Sequence, residues 1–165
     1  MIGLNLFLVV LLIGISAFFV MAEFSFLRIR SSRIEQLISE GNKKAIGLQK
    51  ITFQLDGYLS ACQLGITVTS LALGFLGEPT VARLLEPLFE KTDISEAFSH
   101  TISIAIAFFV ITYFHVVLGE LTPKTIAIQK AEKIALALAK PMRIFYVIMY
   151  PFIWDILCFI GGRNY

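Results

Sequence analysis

The residues best placed to do chemistry in this sequence are oxygen donors set in apolar surroundings. The run Gly119-Glu120-Leu121-Thr122-Pro123-Lys124 closes a long uncharged stretch. Proline has no N–H, so in a helix that continues to Pro123 the carbonyl of residue 119, four positions earlier, has no intrahelical donor. Gly119 also lacks a side chain to screen that oxygen. A bare carbonyl beside the Glu120 carboxylate is a pair of hard oxygens of the kind that binds Na⁺, Ca²⁺ or Mg²⁺, and a helix C-terminal end adds negative potential. A plain helix stop explains the same residues, with Glu120 paired to Lys124 at i, i+4 or to a nearby basic group.

A second set of oxygens lies on the preceding apolar stretch. Ser60, Gln63, Thr67, Ser70 and Gly74 follow one another at steps of three, four, three and four, which places them on one face of a helix. Small and hydroxylated residues are common where membrane helices pack, so helix contact accounts for any one of them. The amide of Gln63 facing lipid would be costly, and the stripe must therefore face protein, water or a bound polar species. Ser25, beside Glu23 and Phe24 where the first apolar stretch ends, offers one more hydroxyl.

Other reactive residues point to little. His100 and His115 lie fifteen positions apart with no Cys or second His at metal-ligand spacing, and read as hydrogen-bonded helix residues. Cys62 and Cys158 form no metal-spaced pair and read as buried filler. HExxH, GxSxG, P-loop and dinucleotide fingerprints are absent, so the expectation is not an enzyme. The chemistry left is binding and passage.

These oxygens need elements to hold them, and composition says in which solvent those elements fold. Hydrophobic residues make up 57% of the 165 and charged residues 16%, with mean hydropathy +0.80 and net charge +2. A water-soluble domain carries about 25% charge, and a nucleic-acid binder carries far more positive charge. The fold class expected is an all-α membrane protein. Met1–Ala22, Gly57–Gly77 and Ala97–Gly119 contain no side-chain charge apart from histidine, and about 20 apolar residues cross a bilayer core. They predict three transmembrane helices at about 2–27, 57–77 and 98–120 in one domain, the first an uncleaved signal anchor.

Juxtamembrane or interfacial helices are expected at about 31–56 and 130–160. The first region alternates Ile34, Leu37, Ile38, Ala45, Leu48, Ile51 and Leu55 with charges around a break at Gly41-Asn42, the pattern of two short helices. Pro151 and Asp155 interrupt the tail from Ile144 to Ile160, which favours an interfacial or bundle-packed helix over a fourth span. Arg28–Asp56 holds six basic residues against three acids, the segment from Leu121 onward six against two, and the loop Glu78–Glu96 two against five. The positive-inside rule then predicts an outer N-terminus, an outer acidic loop and a cytoplasmic C-terminus in a cell (inner or plasma) membrane.

Taken together, Ala22-Glu23-Phe24-Ser25, Gln63-Leu64-Gly65-Ile66-Thr67, Ser70-Leu71-Ala72-Leu73-Gly74, Gly77-Glu78-Pro79 and Leu118-Gly119-Glu120-Leu121-Thr122-Pro123-Lys124 resemble the transmembrane domain of the CNNM/CorC (cyclin M) family. The Gly-Glu-x-x-Pro-Lys element is the most specific part, and the likeness covers nearly the whole chain. The resemblance implies a homodimer of three-span subunits that exports Mg²⁺, driven by Na⁺ entry. It also implies a cytoplasmic CBS-pair module that binds ATP in the full-length protein, for which 165 residues leave no room. Carried over by motif position, it implies a cation site of Ser25, Ser70, the Gly119 backbone and Glu120, with Thr67 and Gln63 as second choices. The competing expectation is a membrane anchor that does not transport, in which the polar stripe is a dimer seam below a cytoplasmic sensor.

Overall fold

The computed structural model describes residues 2–89 and 96–161, with side chains over 2–87 and 97–151. The side chains of Asp155 and Cys158, and positions 90–95 of the acidic loop, lie outside the described residues. All described elements are helical: α1 (Ile2–Arg28), α2 (Ser31–Ser39), α3 (Lys43–Phe53), α4 (Leu55–Phe89), α5 (Glu96–Phe114), a π-helix (His115–Leu121), α6 (Thr122–Gln129) and α7 (Ala131–Gly161). Ile2–Arg28, Leu55–Pro87, Ala97–Gln129 and Ala131–Pro151 are each long and apolar enough to cross a membrane. The last carries Glu132, Lys133, Lys140 and Arg143, whereas the first three contain the uncharged stretches. The chain thus has three strong membrane-spanning helices, and α7 has spanning length with an interfacial charge pattern.

The polypeptide divides into two compact units, Met1–Phe18 with Ile66–Pro123 and Phe19–Gly65 with Lys124–Tyr165. In the first, α4 and α5 run antiparallel. Ser70 meets His115, Gly77 meets Ile111 and Glu86 meets His100, so sequence numbers rise on one helix as they fall on the other. Their seam is built on a four-residue ladder, Ser103, Ala107, Ile111, His115 and Gly119, of which all but the half-buried His115 are buried. That ladder is the i±4 ridge along which helices interlock. Val9, Leu73 and Ile111 form its apolar centre, with Leu12, Ile13 and Val81 packed against them. α4 does not stop at Gly77. It runs as helix through Pro79 to Phe89, so the residues from Glu78 to Phe89, expected at the start of the outer loop, belong to the helix.

The second unit contains the two short helices that the break at Gly41-Asn42 predicts. Gly41 takes φ +83°, a left-handed conformation that suits glycine, and the Asn42 side chain accepts a hydrogen bond from Lys44 N–H to start α3. Of the apolar positions expected to face inward, Ile34, Leu37, Ala45, Leu48 and Ile51 are buried. α3 packs on α7, which buries Ala135, Ala139, Met142 and Tyr146 at steps of four, three and four. Arg33 Nε and Nη2 donate to the two Glu132 carboxylate oxygens at 2.9 and 3.2 Å, and this partner holds the guanidinium above its usual pKa. Aromatic rings complete the core: Tyr58 stacks on Tyr146 at 4.2 Å and Phe19 meets Phe145 at 4.7 Å.

Candidate cation site

The third apolar segment reaches Pro123 without breaking, by widening. From His115 to Leu121 its backbone is a π-helix, and Thr122 N–H donates to the Val117 carbonyl five residues back. In an α-helix that donor would serve Leu118. The next donor in the wider register is Pro123, which has no N–H. Leu118 therefore loses its partner in both registers, and Gly119 loses its α partner. Beside the carbonyl expected at Gly119, which in the wider register still faces the Lys124 N–H, the π-turn thus frees that of Leu118, near Glu120. Wide turns of this kind recur at functional sites because they turn carbonyls away from the helix axis.

Gly119 is buried, and its missing Cβ has a second consequence. A Cβ there would lie 2.9 Å from His115 Cδ2 and 3.6 Å from Ser16 Oγ. The bare backbone thus lets the imidazole ring lie across it. His115 Nε2 sits 3.2 Å from Ser16 Oγ and 3.4 Å from Ser70 Oγ. Ser70 donates its own proton to the Ile66 carbonyl at 2.7 Å, so toward His115 its oxygen acts as acceptor and Nε2 as donor. Ser70 and Gly119, singled out separately in the sequence, are thereby brought to one imidazole. The expectation that His115 is a hydrogen-bonded helix residue describes what it does here.

Glu120 is exposed on the π-helix and forms no hydrogen bond or ion pair with a described residue. Lys124, its candidate partner by spacing, places Nζ 4.4 Å from the centroid of the Phe24 ring. Ser25, in the second unit, is fully buried and donates to the Ala22 carbonyl at 3.0 Å. Ser25 and Ser70 therefore share an orientation: each hydroxyl proton points into its own helix, leaving oxygen lone pairs for an outside group. Gln63 and Thr67 are exposed on α4, whereas Thr69, two residues from Thr67 and outside the stripe, is the buried threonine of that stretch and donates to Ile66 O at 3.0 Å. No group of three or more His, Cys, Asp or Glu side chains converges among the described residues. An ion held here would be coordinated mainly by neutral oxygens, the donor set of a hard cation.

Ser16 was not picked out by sequence reasoning. A lone serine in the apolar α1 carries no spacing signal until the fold places it against His115. Glu78 was read as a loop residue, and the signal that corrects it is the length of apolar sequence continuing past Pro79.

Residues 7–161 match the cyclin M transmembrane N-terminal domain. The chain is 58% identical over 150 residues to the UPF0053 protein YhdP of Bacillus subtilis, covering 91% of this chain and 34% of that protein. It is 54% identical over 153 residues to YugS of the same organism, covering 93% and 36%, and 32% identical over 151 residues to sll0260 of Synechocystis, covering 92% and 34%. The fold and these matches define a multi-pass helical membrane domain. The chain belongs to the CNNM family, and it spans about a third of the length of these relatives.

Proposed function

We propose that this domain moves Mg²⁺ across the membrane, outward and coupled to Na⁺ entry, through a site formed by Ser70, the Gly119 backbone and Glu120. Ser25 joins them on the motif argument, and Thr67 and Gln63 are second choices. The observation that carries this reading is the π-helix at His115–Leu121, which withdraws the helical donor from the Leu118 carbonyl, next to Gly119 and near a carboxylate with no partner among the described residues. Mg²⁺ takes near-octahedral oxygen ligands at about 2.0–2.1 Å and gives up water reluctantly. One carboxylate with hydroxyls and carbonyls leaves the ion partly hydrated and releasable, as transport requires. Ser25 and Ser70 present lone pairs because their protons are already bonded to Ala22 and Ile66.

The functional form in this reading is a homodimer. Gln63, Thr67 and Gly74 are exposed on the single chain, and a face of small and polar residues is the kind through which membrane helices pack against a second copy. The cytoplasmic CBS-pair module belongs to the full-length protein in this reading, and the residues here do no covalent chemistry.

The test is Mg²⁺ flux in liposomes loaded with a fluorescent Mg²⁺ indicator, with and without a Na⁺ gradient. The parental domain is expected to give Na⁺-dependent flux, and Glu120→Gln to abolish it while eluting as the same oligomer. Absence of flux from the folded parental domain would favour the membrane-anchor reading. Parental flux in Glu120→Gln would remove Glu120 from the site.

A further inference from the structure

A cavity with several polar groups in a largely apolar wall lies in the first unit, between α4 and α5. It measures about 180 Å³ and is lined by Ser70, Gly74, Glu78, Phe108, Thr112 and His115, among others. Its carboxylate is unusual in where it sits. Phe108, which shares the lining, is twelve residues from Glu96 (108 − 96) and thirteen from Leu121 (121 − 108). At about 1.5 Å per residue, roughly 18–20 Å of helix extends on either side. On its own helix Glu78 is eleven residues short of Phe89 (89 − 78). Glu78 therefore lies well inside the ends of the paired spanning helices, is half-buried, and forms no side-chain hydrogen bond or ion pair with a described residue. An unpaired charge at that depth is expensive and marks an ion or proton site by default.

We infer that this cavity binds a monovalent cation of the sodium class, with Glu78 as its only charged ligand. Three features select that ligand. Glu78 contributes one negative charge, which neutralises a monovalent ion and would leave a divalent ion with net charge in a low-dielectric setting. The neighbouring hydroxyls, Thr112 and Ser70, are hard oxygen donors, and Ser70 has its proton committed to Ile66. Each water occupies about 30 Å³, so the cavity has room for an ion that keeps several waters. His115 closes one end, held by Ser16 and Ser70 on its Nε2. The inference needs the helical fold of the first unit and stands without the Glu120 site.

Equilibrium binding of radioactive sodium to the purified chain in lipid nanodiscs tests it, with ionic strength held constant by a bulky organic cation. Saturable binding is expected, weakened about tenfold or more in Glu78→Gln, measurably weakened in Thr112→Val, and unchanged in Glu120→Gln. Elution profile and melting temperature establish that each variant is folded. Should Glu78→Gln fail to fold, Thr112→Val carries the test alone, and parental sodium affinity in that variant overturns the inference. So does a folded parental chain without saturable sodium binding, as for a carboxyl group that only exchanges protons. Sodium binding lost in Glu120→Gln and kept in Glu78→Gln would also overturn it, while leaving the Glu120 proposal intact.

Discussion

The two compact units differ in where their charged groups find partners. In the second, Arg33 grips Glu132 through two hydrogen bonds and also approaches Glu40 at 3.8 Å, while Glu35 and Asp56, whose carboxylates have no partner among the described residues, are exposed. Lys124 rests over the Phe24 ring, and the buried positions are apolar or aromatic side chains, including the sulfur pair Cys62 and Met142, apart from Ser25. In the first unit, two carboxylates, Glu78 and Glu120, have no partner among the described residues. Its hydroxyls, like Ser25 of the second unit, give their protons to their own helices, as Ser70 does to Ile66 and Thr80 to Leu76 at 2.6 Å. In the proposed reading, the second unit supplies stability and the first supplies acceptors for an ion.

Damage to the two units should therefore produce different phenotypes. The largest loss of stability is expected in the second. Leu48 is fully buried, and Leu48→Ala should cost about 2–5 kcal/mol in thermal unfolding while leaving flux per folded protein unchanged. Flux lost without loss of stability in that variant would erase the distinction. Gly119→Ala should do the reverse. The new methyl group, 2.9 Å from His115 Cδ2, forces the ring off Ser16 and Ser70, so most of the Mg²⁺ flux should disappear from a protein that still elutes as a folded oligomer.

Smaller effects sharpen the contrast. Glu132→Gln should lower the melting temperature slightly, by an amount that shrinks as salt is added, because the Arg33 pair is partly exposed. A drop insensitive to salt would mean that the pair acts through packing. Ser103 Oγ is buried with no hydrogen-bond partner among the described residues. Ser103→Ala should raise stability by about 1 kcal/mol in the same unfolding assay, since an unsatisfied buried hydroxyl is a cost. Destabilisation there would show that the hydroxyl is occupied in the working protein.

Much of this was legible from the residues alone. Uncharged runs of spanning length located the three apolar helices, and Gly41-Asn42 located the turn between α2 and α3. Proline at 123 flagged a disturbed carbonyl because its effect is local and covalent. What escaped was register. A π-turn shifts the hydrogen-bond partner by one residue, which no side-chain pattern announces, so the release of the Leu118 carbonyl, beside the expected Gly119, was not foreseen. Glu78 escaped because charge ended the predicted span, whereas pairing with α5 carries the helix onward and takes the carboxylate with it. The polar stripe was correctly placed on one face of α4, but packing within the chain uses the adjacent face of Thr69, Leu73 and Gly77, which leaves Gln63 and Thr67 exposed.

The most direct measurement is a structure of the protein with Mn²⁺ in place of Mg²⁺, located by its anomalous scattering. The account predicts a peak at bonding distance from the Glu120 carboxylate, the Gly119 carbonyl and Ser70 Oγ, absent in Glu120→Gln. A peak bound only at Glu78, or none near the π-helix at saturating Mn²⁺, would contradict it.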